Sequence, residues 1–204
     1  MPVPDVIAFV RSALPPAPAR VLEIGAGDGS LAEALTAAGY DVVAIDPASE
    51  TDAVLRVPLH ELDEPAGSFD AAVAIVSLHH VEPLGESCAR LARLVRDGGT
   101  LVIDEFDVER YDERAARWWL EHQDEETHAH ELIAGLRDHL HPVGRIRGAL
   151  APWFEIGQAV PGPYLYRWNM PEGVRETEER LIAEGEIPAV GARLVSRRAG
   201  SGGG

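Results

Sequence analysis

The chain contains no lysine; all 18 of its basic residues are arginine. This excludes Schiff-base chemistry on a lysine, and with it any oxidoreductase that relies on a Tyr-x-x-x-Lys centre. Among 204 residues there is one cysteine, Cys88. An internal disulfide and a Cys-rich zinc or iron–sulfur site are therefore excluded, and a reducing compartment fits. No apolar run is long enough to cross a bilayer. The start, MPVPDVIAFVRSALPP, lacks a basic n-region and carries Asp5, so it does not read as a signal peptide. Basic residues are outnumbered 18 to 34 by acidic ones, for a net charge of −16. Such a chain repels nucleic acid and anionic lipid. The expectation is a cytoplasmic protein with a small-molecule partner and no nucleic-acid or membrane partner.

What is present is globular: 46% hydrophobic and 25% charged residues. One domain is expected over 1–198, with 199–204 a flexible Gly-rich tail. Asp5 reads as the cap of a helix through Leu14, which Pro15, Pro16 and Pro18 end. RVLEIG (20–25) reads as a buried strand, and SLAEALTAAGY as a helix closing at Gly39. DVVAID (41–46), a weaker DAVLRV (52–57) and FDAAVAIVS (69–77) read as strands. A helix over 83–96 stops at Gly98-Gly99 and leads into strand TLVIDEF (100–106). Alternating strands and helices with continuous apolar strands predict a doubly wound, mostly parallel α/β sheet covered on both faces. Further on, 112–140 reads as mostly helical, with Leu132, Leu136 and Leu140 as a buried stripe. Strands at 153–160 and 189–197, with a helix at 172–184 between them, predict an antiparallel C-terminal edge carrying helical lid insertions.

Gly25, Gly27 and Gly29 stand between a strand and a helix, where positive φ and close ligand approach favour glycine. The dinucleotide pattern needs a glycine where Ser30 stands. Glu23, an acid inside the preceding strand, suits a positively charged ligand better than a pyrophosphate. Asp46 ends the second strand and is placed to accept from a ribose diol, or to cap the turn that follows.

The set VLEIGAGDGS, DVVAIDP, FDAAVAIVSLHHV and RLVRDGGTLVIDEF resembles class I S-adenosylmethionine-dependent methyltransferases, within them the small-molecule UbiE-like (type 11) group. The resemblance covers residues 20–106 and implies a Rossmann-like fold, S-adenosylmethionine as cofactor and S-adenosylhomocysteine as product. It implies that Gly25, Ala26, Gly27 and Gly29 line the methionine and ribose, with Glu23 near the amino end. Asp46 would hold the ribose and Pro47 would lie on the adenine; Ser77 and Leu78 would flank the sulfonium. Where the family often carries an adenine-binding acid this chain has Pro58, so Leu59, His60 or Glu61 must substitute. Residues 107–198 match in architecture only and would select the substrate.

His79 and His80 follow the fourth predicted strand, and either can take a proton near neutrality; His79, nearer the strand end, is the first choice. A structural role for the pair is the competing reading. Asp104 and Glu105, at the end of the fifth predicted strand, either orient substrate or cap the next turn. On a helix His122, Glu126 and His130 would share one face and offer metal ligands, against a solvated acidic face; no HExxH supports a metal, and none is assigned. Trp118, Trp119, Trp153, Tyr164, Tyr166 and Trp168 line either an apolar pocket or the core beneath the added helices. Arg145, Arg147 and Arg167 pair with substrate carboxylate or with nearby acids. The functional reading is a methyltransferase acting on an O, N or C nucleophile of a small molecule. The alternatives are a non-catalytic cofactor-binding module, a nicotinamide-dependent oxidoreductase and a protein methyltransferase.

Overall fold

A computed structural model describes residues 4–123 and 127–200. The elements in chain order are α1 (Pro4–Ala13), β1 (Arg20–Ile24), α2 (Ser30–Ala37), β2 (Asp41–Ile45), β3 (Phe69–Ile75), α3 (Leu84–Leu94) and β4 (Val95–Phe106). Then come α4 (Glu113–Leu120), α5 (Ala129–His139), α6 (Val143–Leu150), β5 (Phe154–Glu155), β6 (Val160–Gly162), α7 (Arg175–Ala183) and β7 (Gly191–Arg198). The sheet order is β2-β1-β3-β4-β7-β5, with β6 also on β7. Strands β1 to β4 are parallel, and β7 runs antiparallel to β4, β5 and β6. The parallel core with an antiparallel edge is the predicted architecture.

Strand residues alternate between two cores. Val21, Val73 and Val102 face α1 and α2, packing on Val10, Leu31 and Leu35. Leu22, Ala72 and Leu101 face the other way, onto Leu91 of α3 and Ile146 of α6. Both faces are covered, which explains why these strands read as unbroken apolar runs. A third cluster lies past the end of β4 and joins Phe106, Tyr111, Trp119, Tyr164 and Leu165.

Several local expectations change. Residues 52–57 form no strand: a single bridge links Leu55 to Ile45. The Val57 amide turns back to the Leu55 carbonyl (2.9 Å), and Pro58 brings no N–H, so the ladder cannot extend. The third helix ends at Leu94, because Val95 is already extended. Asp5 lies inside the first turn of α1 rather than capping it. Its carboxylate instead accepts from Arg193 (2.8 Å) and the Tyr166 hydroxyl (3.0 Å). Helix α6 was not anticipated, although Val143, Ile146 and Leu150 are all buried at helical spacing. The 153–160 strand is two short strands, β5 and β6, on opposite ends of β7. The helical face for His122, Glu126 and His130 does not form. Helix α4 stops at Leu120 and α5 starts at Ala129, so the two histidines lie outside one helix. Glu126 lies outside the described residues, as does most of the predicted tail, 201–204. No group of three or more possible metal ligands occurs among the described residues.

The short turn at Leu165–Arg167 is held by one fully buried side chain. Glu178 of α7 accepts from the amides of Tyr164 (2.8 Å), Leu165 (2.9 Å) and Tyr166 (2.8 Å). Replacing it with alanine strands three buried or half-buried donors. Glu178→Ala is expected to lower unfolding free energy by about 3–5 kcal/mol, measured by urea denaturation. A loss within error would show that water replaces the carboxylate at this turn.

Candidate active site

The chain leaves β1 through the glycine turn. The amides of Gly25 (2.8 Å) and Ala26 (3.1 Å) both donate to the Ile45 carbonyl. Gly25 has φ +70°, and a Cβ there would stand 2.3 Å from the Cβ of Ser77. Glycine at this position therefore lets the turn after β1 touch the turn after β3. Asp46 pins the turn from the other side: Oδ2 accepts from the Gly27 amide (2.9 Å) and Oδ1 from the Ala48 amide (2.8 Å). So Asp46 does the capping work considered for it, and it still faces the cavity.

That cavity, about 470 Å³, opens at the carboxyl ends of β1, β2 and β3. Of the residues singled out in the sequence, Gly25, Asp46, Pro47, Leu59, Ser77 and His80 line it, together with Pro58. Six others do not. Glu23 is buried in β1, Ala26 packs with Ala44 and Val54, and Leu78 and His79 are buried beneath the turn after β3. Gly27 borders an adjoining depression with Asp28 and Ser49. Gly29 precedes α2 with φ +77° and meets Val54. His60 and Glu61, the other substitutes for an adenine-binding acid, do not line the cavity.

The wall after β3 is under strain. Val76 has φ +52°, a conformation costly for a β-branched residue. Its amide donates to the Asp104 carbonyl (2.7 Å), and it lines the cavity. Next to it, the Ser77 hydroxyl is buried without a partner. Glu105, fully buried at the end of β4, holds this segment. Its Oε1 accepts from the amides of Ser77 (2.9 Å) and Leu78 (2.6 Å), and its Oε2 lies 2.5 Å from His79 Nδ1. Glu105 therefore caps a turn, but the one after β3 rather than the one that follows its own strand. The Nδ1 side of the His79 ring is thus committed to Glu105, which leaves Nε2 as the ring nitrogen not engaged there.

His80 is the histidine that faces the cavity, its ring 4.2 Å from that of His79. Burial first, then the neighbouring charges of His79 and His141, push its pKa below the usual histidine range against an opposing pull from Glu105. His141 lies between α5 and α6, where its amide donates to the His79 carbonyl (2.9 Å) and its Nε2 sits 3.0 Å from Glu82. No local pattern signals that contact. Val76 and His141 are the lining and supporting residues that the sequence did not reveal.

Residues 4–135 match the model of a methyltransferase domain. The chain belongs to the methyltransferase-domain family. A ubiquinone biosynthesis O-methyltransferase from Xanthomonas axonopodis pv. citri is 35% identical, over 48% of this chain and 47% of that protein. The chain thus spans about half the length of that curated relative. An uncharacterized methyltransferase from Staphylococcus carnosus is 31% identical, over 61% of this chain and 69% of its own length. Among solved structures, an S-adenosylmethionine-dependent methyltransferase from Mesorhizobium loti superposes with a TM-score of 0.62 at 18% identity, covering 93% of this chain and 95% of that one. The chain therefore has the Rossmann-like fold of S-adenosylmethionine-dependent methyltransferases, as the family resemblance implied. Among the described residues, no helix is long and apolar enough to cross a membrane.

Glu23 carries the clearest pH signature of this methyltransferase domain. Its Oε2 is buried without a partner, and burial, followed by the charge of Asp28, raises its pKa from 4.5 to about 8. Below pH 4.5 the group is protonated in both folded and unfolded chains. Between 4.5 and about 8 only the unfolded chain ionises, so the stability from this group drains away as pH rises. Glu23→Gln is expected to flatten the fall in melting temperature across that window. Parallel melting curves for the two proteins would remove Glu23 as the titrating group.

Proposed function

We propose that this protein binds S-adenosylmethionine in the cavity at the ends of β1, β2 and β3 and methylates a small molecule. The observation that carries the reading is the cradle itself. Gly25 has no room for a Cβ against Ser77, and the cavity beside it is lined by Asp46, Pro47, Pro58 and Leu59. The donor set fits. Asp46 offers a carboxylate for ribose hydroxyls, and Pro47, Pro58 and Leu59 offer an apolar slot for the adenine. The unpartnered Ser77 hydroxyl lies on the same wall, and the unpartnered oxygen of Glu23 lies buried behind the turn, toward the amino end. When bound, the cofactor supplies an electrophilic methyl carbon on a good leaving group.

What remains for the chain is positioning, exclusion of water and removal of a proton. His79 fits the last task in the way a serine-protease histidine does. A buried carboxylate, here Glu105, holds one ring nitrogen and leaves the other to accept the proton of an acceptor O–H or N–H. His80 forms part of the cofactor wall. The acceptor approaches from the side of Val76 and the end of β4. The Xanthomonas relative is named as an O-methyltransferase, which agrees with a base-assisted transfer.

Calorimetric titration with S-adenosylmethionine, S-adenosylhomocysteine and NAD tests the cofactor. The two sulfur ligands are expected to bind and NAD is not; NAD alone binding would overturn the reading. Asp46→Ala is expected to weaken S-adenosylhomocysteine by about 1.5–3 kcal/mol, the value of a hydrogen bond to a charged acceptor. For an acceptor found by screening, His79→Ala is expected to slow turnover by about 10²–10⁴-fold with S-adenosylhomocysteine affinity retained. Unchanged turnover would make His79 a packing residue.

A further inference from the structure

One acidic side chain on the wall of the cavity has no part in the reading above. Of the side chains that line it, only those of Asp46, Ser77, His80 and Glu82 carry polar atoms. Three of these are directed elsewhere. Asp46 accepts from the Gly27 and Ala48 amides, the Ser77 side chain lies against Gly25, and the His80 ring leans on that of His79 at 4.2 Å. Glu82 is left.

Its place in the chain puts Glu82 on the side of Pro58 and Leu59. It stands two residues before α3, which starts at Leu84. Leu59 packs in one cluster with Leu84 and Cys88 of that helix, and the turn Leu59–Glu61 lies against it. This side of the slot offers a donor little else. Val57, Pro58 and Leu59 have apolar side chains, and the carbonyls of Pro58 and Leu59 already accept from the amides of Glu61 (3.0 Å) and Leu62 (3.3 Å).

The carboxylate is steered from beyond β4. The Glu82 side chain is 69% exposed, which suits a residue on the rim of a cavity, yet a buried histidine holds it. Nε2 of His141 lies 3.0 Å from Glu82 Oε1 and 3.2 Å from the Val81 carbonyl oxygen. Both partners are acceptors, so this nitrogen carries the proton. The His141 amide is itself fixed on the His79 carbonyl (2.9 Å). A long, flexible carboxylate thus receives one preferred direction from a buried anchor, and Oε2 is not engaged by that anchor.

We propose that Glu82 reads the base of the cofactor by accepting a hydrogen bond from the exocyclic amino group of adenine, with His141 as its positioning residue. The inference rests on the S-adenosylmethionine reading and adds the residue that makes the cavity selective for a 6-aminopurine. An amino group enclosed in an apolar slot needs an acceptor, and a charged acceptor holds it more strongly than a neutral one.

The test is a calorimetric titration of the full chain with S-adenosylhomocysteine and with its analogue carrying purine, hydrogen in place of the amino group, instead of adenine. The unsubstituted protein is expected to prefer the adenine ligand by about tenfold or more, the value of a hydrogen bond to a charged acceptor. Glu82→Ala is expected to bind the two ligands within about twofold of each other, because the partner of the amino group is gone. Its melting temperature should hold, since the side chain stands at the rim. Glu82→Gln keeps an uncharged acceptor and should fall between the two. In His141→Ala the preference should narrow in the same direction; an unchanged ratio overturns its positioning role. Equal affinity of the unsubstituted protein for the two ligands, or an undiminished preference in Glu82→Ala, overturns the inference and leaves the cofactor reading standing. Failure of both ligands to bind overturns the cofactor reading and the inference with it.

Discussion

One buried carboxylate holds the site together. Glu105 is sealed from solvent and surrounded by donors: two backbone amides on one oxygen and an imidazole on the other. A carboxylate without such donors would carry a large desolvation cost at this depth. With them, it fixes three consecutive residues, Ser77, Leu78 and His79. Val76, the left-handed residue just before them, is held separately, by its amide on the Asp104 carbonyl. Because Gly25 closes directly on Ser77, the position of Glu105 reaches the glycine turn through a single contact. The wall of the cavity and the ring of His79 are therefore set by the same side chain.

Its neighbour on β4 does similar work on the opposite face. Strand alternation points Asp104 away from Glu105, and Asp104 is equally buried. It accepts from Arg167 (2.9 and 3.3 Å) and from Arg193 (2.9 Å), and Arg193 continues to Asp5 of α1. Arg167 belongs to the turn that Glu178 caps. Arg167, weighed in the sequence as a substrate-carboxylate partner, is thus committed to a structural ion pair. Through these arginines Asp104 ties together the first helix, the terminal strand and the turn at Leu165–Arg167. Losing one member of such a buried network costs far more than a surface pair contributes, because its partner is left charged and dry.

How much of this the sequence disclosed follows the range of the forces involved. The turn from β1 into α2 is local: an apolar run, three glycines and a helix within 18 residues, Arg20–Ala37, all legible from pattern. Residues 52–57 looked like a strand because their composition suits one. A strand also needs a neighbour to continue its ladder, and the turn at Leu55–Val57 denies it that. Helix α6 had a readable spacing and was missed beside a segment dominated by histidines. The pairing of His79 with Glu105 spans 26 residues, and that of His141 with the same loop spans about 60. No periodicity encodes either. The metal face weighed for His122, Glu126 and His130 needed one unbroken helix, and α4 ends at Leu120 while α5 starts at Ala129.

The residues after β4 were opaque for a physical reason. Their aromatics fit a core as well as they fit a pocket, since both bury rings against rings. Composition cannot separate the two. Tyr111 looks ordinary in the sequence, an exposed-looking residue between Arg110 and Asp112. In the structure its hydroxyl is the one tyrosine oxygen among the described residues that is both buried and unpaired. The rings around it are closed by Ala115 of α4, Ile133 of α5 and Leu181 of α7 as well as by the turn at Leu165, so four separate stretches of chain meet at a cluster that no one of them predicts alone.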